Sequence, residues 1–276
     1  RLSFQGVWSH RLRSFLTMLG IIIGIAAIIA IVSTIKGTNE QIKKNLIGSG
    51  TNTTTVQLTE SGNYAAEMEY GIPKGIPVLD DDMRQQLADI DHVKDASLYV
   101  SRTQVDYIYY NSTVLSGGQL IGADSHYLGT CGYVMKRGRG FTDSDYEKYR
   151  KVAVVDSVAA DSLFGNENPV GKTIDIKGEP FIVVGVIEES TAYSPVINSV
   201  DDYYTYVYND GSASGIVIIP DVDWNIVQQY DEPQNAKLLA DSTDTMTSVG
   251  KAAQTLLNET VTNKDIKYRA ANMNET

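Results

Sequence analysis

The sequence predicts an α+β protein: an N-terminal membrane-spanning helix with a stalk, then a split α+β subdomain carrying a mostly-β insertion. Three observations predict this. An uncharged run of 21 residues, 15–35, follows a leader that holds three arginines. Beyond that run the chain is acidic and rich in strand patterns. Two stretches, 53–102 and 215–270, each read strand–helix–strand, so they can pair into one layer.

The apolar run 15–35 has the length of a membrane span. A helix of 21 residues is about 30 Å long, which is the thickness of a bilayer's hydrocarbon core. A secretory signal peptide has a shorter apolar region that ends at a small-residue cleavage site, and this run shows neither. A soluble core helix is amphipathic, whereas this run is apolar on every face. A third alternative is an artefact of truncation. The sequence favours a transmembrane helix over 15–35, with residues 1–14 as its leader.

Small residues interrupt this run. Gly20 and Gly24 form a G-x-x-x-G pattern, which lets helix backbones approach closely in lipid. Further small residues follow at Ala26, Ala27 and Ala30. Gly and Ala are also common in spans generally, so composition alone is the alternative explanation. The pattern predicts helix packing in the membrane at Gly20 and Gly24.

Helical spacing continues after the span to a Gly-Ser-Gly stop, so residues 36–50 are predicted to form a stalk helix. The alternating β-branched residues 53–59 predict a strand. The run Asp80–Asp82 is typical of a helix start, where carboxylates cap free amides. A strand over 96–102 completes the first strand–helix–strand stretch.

The middle of the chain is predicted to be mostly strands. A hairpin is expected within 104–121, and a buried strand over 151–156 precedes a short helix and another hairpin. The predicted domains are therefore a split α+β (ferredoxin-like) subdomain made of 51–102 and 215–276, with residues 103–214 inserted as the mostly-β subdomain.

Charge and cysteine content narrow the functional classes. The net charge is −11 for the whole chain, which excludes nucleic acid as a partner because its phosphates require a basic face. Three lysines just beyond the span balance the leader arginines, so charge bias does not set the orientation. The single cysteine, Cys131, excludes an intrachain disulfide. Because the chain begins at Arg1 without methionine, we expect it to be a fragment of a longer polypeptide.

The segment from Gly165 to Thr173 looks like a phosphate-binding loop but does not fit one. Five residues separate Gly165 from Gly171, where the motif has four. A phosphate loop also leads into a helix, whereas Lys172 leads into a strand pattern. A turn into a β-hairpin is predicted instead.

No catalytic, cofactor or metal site is predicted. The three histidines lack metal-ligand spacing, the acidic runs do not match a calcium loop, and Cys131 has no base nearby in sequence. The groups considered are His10, His92, His126, Asp80–Asp82, Asp201, Asp202, Asp221 and Asp223. A membrane-anchored hydrolase is the least favoured reading, since no nucleophile–base pattern occurs.

A tyrosine-rich stretch is the best candidate for partner contact. Tyrosine combines a large apolar area with a polar tip, as interfaces require. The residues are Tyr193, Tyr203, Tyr204, Tyr206 and Tyr208. An ordinary, partly packed loop is the alternative.

Three segments together resemble the MacB/FtsX-like ABC transporter permeases. The first is LRSFLTMLGIIIGIAA, which starts at Leu12. The second is GADSHY from Gly122, followed by RGRGFTD from Arg137. The third joins VAVVD, LFG, NPVGKTI and FIVVGV between Val152 and Val186. Their order matches the family, and beyond about residue 190 only the pattern is similar.

The resemblance implies a permease with four spans and a large domain outside the cytoplasmic membrane between the first two. It implies a dimer that works with a separate or fused ATPase, so ATP hydrolysis is not expected in this chain. The external domain would move with the ATPase cycle, by mechanotransmission, to expel antibiotics, peptides or lipids, in some members with an extracytoplasmic adaptor. Residues 1–14 would then be cytoplasmic.

The chain departs from that pattern in two respects. Spans two to four are absent, and the acidic segment 189–213 is longer than a minimal member needs, which leaves adaptor contact open. The alternative function is a singly anchored extracytoplasmic sensor or ligand-binding module. The sequence that follows residue 276 discriminates, because three further apolar runs would support the permease.

Overall fold

The computed structural model describes residues 15–32, 52–60, 64–65, 71–189 and 215–270. Contacts divide the chain into two units, Arg1–Asn45 and Leu46–Thr276. In the first unit, helix α1 spans Phe15–Val32, with a mean hydropathy of 2.9 and no side chain buried. By length and composition this helix can cross a membrane. The leader, residues 33–35 of the predicted span and the predicted stalk 36–50 lie outside the described residues.

Strands of the second unit form one mixed sheet. They are β1 (Thr53–Glu60), β2 (Tyr64–Ala65), β3 (Val93–Val105), β4 (Ile108–Tyr110), β5 (Thr113–Val114), β6 (Gly118–Ala123), β7 (Tyr133–Gly138), β8 (Val152–Asp156), β9 (Thr173–Ile176), β10 (Glu179–Glu189), β11 (Ile216–Pro220), β12 (Asn235–Ala240) and β13 (Ile266–Ala270). The order is β13-β1-β12-β3-β6-β11-β8-β10-β9-β4-β5, with β2 beside β1 and β7 beside β10.

Helices are short apart from the last. They are α2 (Asp81–Ala88), α3 (Tyr127–Thr130), α4 (Asp143–Glu147), α5 (Ser157–Phe164), α6 (Trp224–Val227) and α7 (Met246–Asn258). The predicted cap is present, since Asp80 Oδ1 accepts a hydrogen bond from the Met83 amide at 3.0 Å. Between β11 and β12 the chain forms a 3₁₀ turn (Asp221–Asp223) and one α-helical turn, which ends where Gln228 is extended (ψ 136°).

One half of the sheet consists of two interlocked β–α–β units. The order β13-β1-β12-β3 is antiparallel throughout, and α2 and α7 supply its helices. Its core includes the fully buried Leu58, Leu87, Leu257 and Tyr268. This is the predicted split α+β arrangement.

The other half contains β6, β11, β8, β10, β9, β4 and β5, and α5 packs on its core. Here the structure differs from the predicted boundary at residue 215, because β11 lies between β6 and β8 rather than in the split subdomain. Its residues Val217, Ile218 and Ile219 are all buried, as in a strand that is covered on both faces. The other predicted domain limits remain predictions.

The RGRGFTD segment has a specific structural role. Arg139 forms a two-pronged ion pair with Asp145, at 2.6 and 3.2 Å. Asp145 is fully buried and also accepts hydrogen bonds from the Thr142 amide and hydroxyl, both at 2.9 Å. A Cβ on Gly138, where φ is +73°, would overlap the Val184 carbonyl oxygen. The segment therefore fixes the corner between β7 and α4 by close backbone packing and a buried ion pair.

Candidate functional site

A cavity of about 420 Å³ opens where the two halves of the sheet meet. We call it the acidic cleft. It is lined by Ile72, Val78, Leu79, Asp80, Asp81, Arg84, Leu98, Tyr99, Val100, Gly122, Asp124, Asp221, Val222, Trp224, Asn225, Asp231, Glu232 and Gln234. Both halves contribute, because α2 and β3 form one wall and the 221–225 turn forms the other.

Asp124 follows β6 and is held in place by three donors. Its carboxylate accepts hydrogen bonds from the Ser97 hydroxyl and the Leu98 amide, each at 2.7 Å, and from the His126 amide at 3.0 Å. Burial nevertheless raises the pKa of Asp124 above its ordinary value, because desolvation outweighs those donors. Asp124 thus joins β3 to β6 at the floor of the cleft.

Two further carboxylates lie on the turn after β11. Burial, and to a lesser extent the negative charge of Asp124, raises the pKa of Asp221 to about 6. Asp223 is fully buried, and neither of its carboxylate oxygens has a hydrogen-bond partner among the described residues. Burial likewise raises the pKa of Asp223 to about 6, although Lys151 opposes the shift. This turn is electrostatically strained at neutral pH, since it holds negative charge that nothing nearby fully balances.

Two ion pairs occupy the opposite side of the cleft. Arg84 Nε lies 2.6 Å from Asp81 Oδ1, and Arg102 Nε lies 2.6 Å from Glu232 Oε1. Arg84 is the one cation among the residues that line the cleft, all of which belong to the described part of the chain. Its charge is already engaged by Asp81. The cleft as a whole therefore keeps a negative charge.

Apolar surface forms the rest of the wall. Trp224 is almost fully buried, whereas Val78 is 67% exposed at the mouth and Val222 is 36% exposed. A Cβ on Gly122 would overlap the Trp224 ring, so glycine at this position makes room for the indole. The cleft can hold an apolar group against these side chains and a positive group against its carboxylates.

Among the described residues, no cluster of three His, Cys, Asp or Glu side chains has the geometry of a metal site. His92 Nδ1 lies 2.8 Å from Asp241, and His126 Nδ1 lies 3.0 Å from Asp95. The hydrogen bond to Asp241 raises the pKa of His92. These pairs involve surface histidines in the described part of the chain.

The phosphate-loop look-alike is a turn before a strand, as predicted. Lys172 precedes β9, pairs with Glu167 and lies 5.6 Å from the centre of the Tyr110 ring. Its ammonium therefore points at Glu167 of the same loop and at the ring of Tyr110 on β4.

Of the residues predicted for helix packing and for partner contact, the structure describes only the two glycines. Gly20 and Gly24 lie one turn apart on α1, where a Cβ on either would meet nothing within 4 Å. The five tyrosines from Tyr193 to Tyr208 and the predicted stalk lie outside the described residues. The acidic cleft was not predicted from the sequence, where the acidic segments Asp80–Asp82 and Asp221–Asp223 were the available signal.

Comparison with known proteins supports the fold and the family. Residues 14–256 match the family model of the MacB-like periplasmic core domain. The chain is 33% identical over 97% of its length to the uncharacterized ABC transporter permease YvrN of Bacillus subtilis. It is 29% identical over 75% of its length to the macrolide export ATP-binding/permease protein MacB of Aggregatibacter actinomycetemcomitans.

Solved structures show the same fold. The periplasmic region of MacB from Actinobacillus actinomycetemcomitans matches 82% of this chain and 92% of its own, with 20% identity and a TM-score of 0.55. The extracellular domain of the ABC-type transporter YknZ from Gram-positive bacteria matches 80% of this chain and 100% of its own, with 21% identity and a TM-score of 0.54.

The chain spans only part of the relatives it matches, namely 62% of YvrN and 31% of MacB. The family match nevertheless runs from the start of α1 almost to the end of α7. It confirms the resemblance that the sequence motifs indicated. The chain therefore belongs to the family of MacB-like periplasmic core domain proteins.

Proposed function

We propose that this chain is the N-terminal part of a permease subunit of a MacB-like ABC transporter. The observation that carries the proposal is the continuous family match over residues 14–256, which includes both the apolar helix and the mixed sheet. A relative that is similar over 97% of the chain is named an ABC transporter permease. In this proposal α1 crosses the cytoplasmic membrane, residues 1–14 are cytoplasmic and the sheet domain is extracytoplasmic.

The proposed mechanism is mechanical. ATP hydrolysis takes place in a partner ATPase subunit or domain, and the external domain moves with that cycle to expel antibiotics, peptides or lipids. A second permease copy completes the transporter, and an extracytoplasmic adaptor is a further candidate partner. The chain supplies no catalytic group to the cycle in this proposal.

Co-purification of the full-length gene product tests the proposal. We expect it to retain the ATPase that is encoded beside it, and to stimulate or restrain that ATPase's turnover in lipid nanodiscs. An unrelated single-span protein of the same membrane serves as the control. Failure to retain any ATPase, together with a full-length sequence that lacks three further apolar runs, would favour the singly anchored sensor instead.

Helix packing through Gly20 and Gly24 is the second part of the proposal. The two glycines lie on one face of α1, so close approach of another span is sterically open. In the full-length protein we expect Gly20→Leu with Gly24→Leu to reduce association between differently tagged copies. Ala26→Leu with Ala30→Leu is the matched control, because it enlarges two small residues at the same spacing on another face. Equal loss from both variants would contradict a role specific to the glycine face.

The tyrosine-rich stretch remains the proposed contact for a partner outside the membrane. Serine substitutions at Tyr203, Tyr204 and Tyr206 would weaken capture of an adaptor that is encoded beside the permease. Substitution of Tyr109 and Tyr149, which are exposed on the sheet domain, is the control. Unchanged capture by the first variant would remove this stretch as the contact.

A further inference from the structure

The acidic cleft combines an apolar wall with unbalanced negative charge. Of the six carboxylates that line it, Asp81 and Glu232 pair with arginines. The other four, Asp80, Asp124, Asp221 and Asp231, form no ion pair with lysine or arginine in the described part of the chain. An anion would be repelled here, and a neutral apolar molecule would leave the carboxylates without a counter-charge.

Three of these four carboxylates are already oriented by hydrogen bonds. Asp80 accepts from the Met83 amide at 3.0 Å, and Asp231 accepts from the Asn225 side chain at 2.7 Å. Asp124 is fixed by Ser97 and Leu98. Because the donors to these three carboxylates are neutral, their negative charge is left for a ligand, and they cost little to reorganise.

The rest of the cleft offers apolar surface that can contact the hydrocarbon part of a ligand. Leu79 and Trp224 are buried in its wall, whereas Val78 and Val222 are exposed at its mouth. Exposed apolar side chains beside a concave apolar wall are typical of a surface that binds a ligand. A volume of about 420 Å³ suits a small molecule or two to three side chains of a peptide.

We propose that the acidic cleft binds cationic amphiphiles, with a protonated amine against Asp124, Asp221 and Asp231 and the apolar body against Trp224 and Val78. The amine supplies the missing counter-charge, and the apolar body gains contact with the apolar wall. Both halves of the sheet contact such a ligand at once. The inference rests on the proposed function in one respect: a transporter's external domain is where such a molecule would be captured before expulsion.

Fluorescence of Trp224 provides a direct test. The chain has two tryptophans, and the other, Trp8, lies in the leader. Trp8→Phe therefore leaves one reporter, which is located in the cleft. The chain in nanodiscs of zwitterionic lipid is titrated with 4-bromobenzylamine, whose bromine quenches indole emission. The neutral 4-bromobenzyl alcohol and the anionic 4-bromobenzoate are matched probes.

We expect saturable quenching by the amine, with an affinity about 3- to 5-fold above that of the alcohol and no binding of the benzoate. The advantage of the amine should vanish in about 1 M salt, where the Debye length falls to about 3 Å. The double variant Asp221→Asn with Asp231→Asn should also lose the preference for the amine over the alcohol. Asp161→Asn, on the exposed face of α5, removes a carboxylate outside the cleft and should leave it unchanged.

Equal affinity for amine and alcohol, no saturation, or an unchanged preference in the double variant would each overturn the proposal. A Lys-Leu-Leu-Lys amide then separates the ligand sources. If this peptide displaces the bromoamine, the ligands of the cleft are cationic peptides. If the bromoamine binds and the peptide does not displace it, the ligands are small amines. Loss of binding here would leave retention of the ATPase unaffected, so the two proposals fail independently.

Discussion

Arg102 and Glu232 join the two chain segments that pass between the halves of the sheet. Arg102 lies near the end of β3, and Glu232 lies on the return from α6 to β12. Their Nε and Oε1 atoms are 2.6 Å apart, and the Glu232 side chain is only 6% exposed. Removing one partner of a buried charge pair is costly, because the other charge then stays buried without its counter-charge.

Arg102→Ala should therefore destabilise the chain by about 3 kcal/mol, since it removes the guanidinium that is paired with the buried Glu232 carboxylate. At 2–4 °C per kcal/mol for a chain of this size, we expect a melting temperature lower by roughly 6–12 °C. Thermal unfolding in detergent measures it. Arg269→Ala, at an exposed position of β13, is the matched control. Equal melting of both variants would show that the pair contributes nothing.

Asp145→Asn tests the corner between β7 and α4. The amide that replaces one carboxylate oxygen cannot accept from Arg139 or Thr142, so we expect a loss of about 2–4 kcal/mol in the free energy of unfolding. Asp143→Asn, two residues earlier on the same helix and exposed, should cost less than about 0.5 kcal/mol. Urea denaturation distinguishes the two, and similar costs would contradict the buried pair.

The same carboxylate has a definite acid dependence. Burial alone would raise the pKa of Asp145, but hydrogen bonds from Arg139 and Thr142 outweigh it and lower the pKa below its ordinary value of 3.8. The folded state therefore releases this proton more readily than the unfolded state. The stabilisation is present above about pH 4 and is lost as the pH falls further. The Asn variant should lack this part of the acid response.

Gly138→Ala separates steric overlap from backbone strain. Gly138 and Gly178 both have positive φ, at 73° and 87°, but a Cβ meets the Val184 carbonyl only at Gly138. Gly178→Ala should cost about 1 kcal/mol, from the strained φ alone. Gly138→Ala should cost at least about 3 kcal/mol, because the backbone must also move. Equal costs would mean that the backbone of the paired strands β7 and β10 moves apart without a measurable loss of stability.

Asp223→Asn tests the unpartnered carboxyl. The folded state holds this proton up to a pKa of about 6, whereas the ordinary value is 3.8. Folded molecules therefore bind more protons between those values, and stability rises as the pH falls from above 6 toward 4. We expect a gain of about 2 kcal/mol over that range in the wild type. The gain should be smaller in the variant, and identical pH profiles would contradict the assignment.

Local signals predicted the elements well, but not their partners. The acidic cap at Asp80 and the β-branched run 53–59 act within a few residues, so helix α2 and strand β1 appear where expected. Strand β11 was placed in the wrong half of the sheet, because an apolar run specifies a covered strand without naming its neighbours. Pairing of β11 with β6 depends on contacts nearly 100 residues apart along the chain.

The acidic cleft could not be predicted from local sequence patterns for a related reason. Asp80 caps α2 and Asp221 begins a 3₁₀ turn, and both roles involve only nearby residues. These two residues line the same cavity only because the fold places β3 and α2 opposite the turn that follows β11. Asp124 belongs to the GADSHY segment, but that segment does not show what Asp124 faces, because its donors on β3 precede it by more than 25 residues.

The continuous ladder from β13 to β5 has a mechanical consequence. Strand β3 is hydrogen-bonded to β12 on one side and to β6 on the other, so the two halves share a strand rather than a flexible joint. Shearing them apart would break several backbone hydrogen bonds at once, at a cost well above thermal energy. The sheet domain should therefore behave as a stiff plate, which transmits a push applied at its edge without absorbing it.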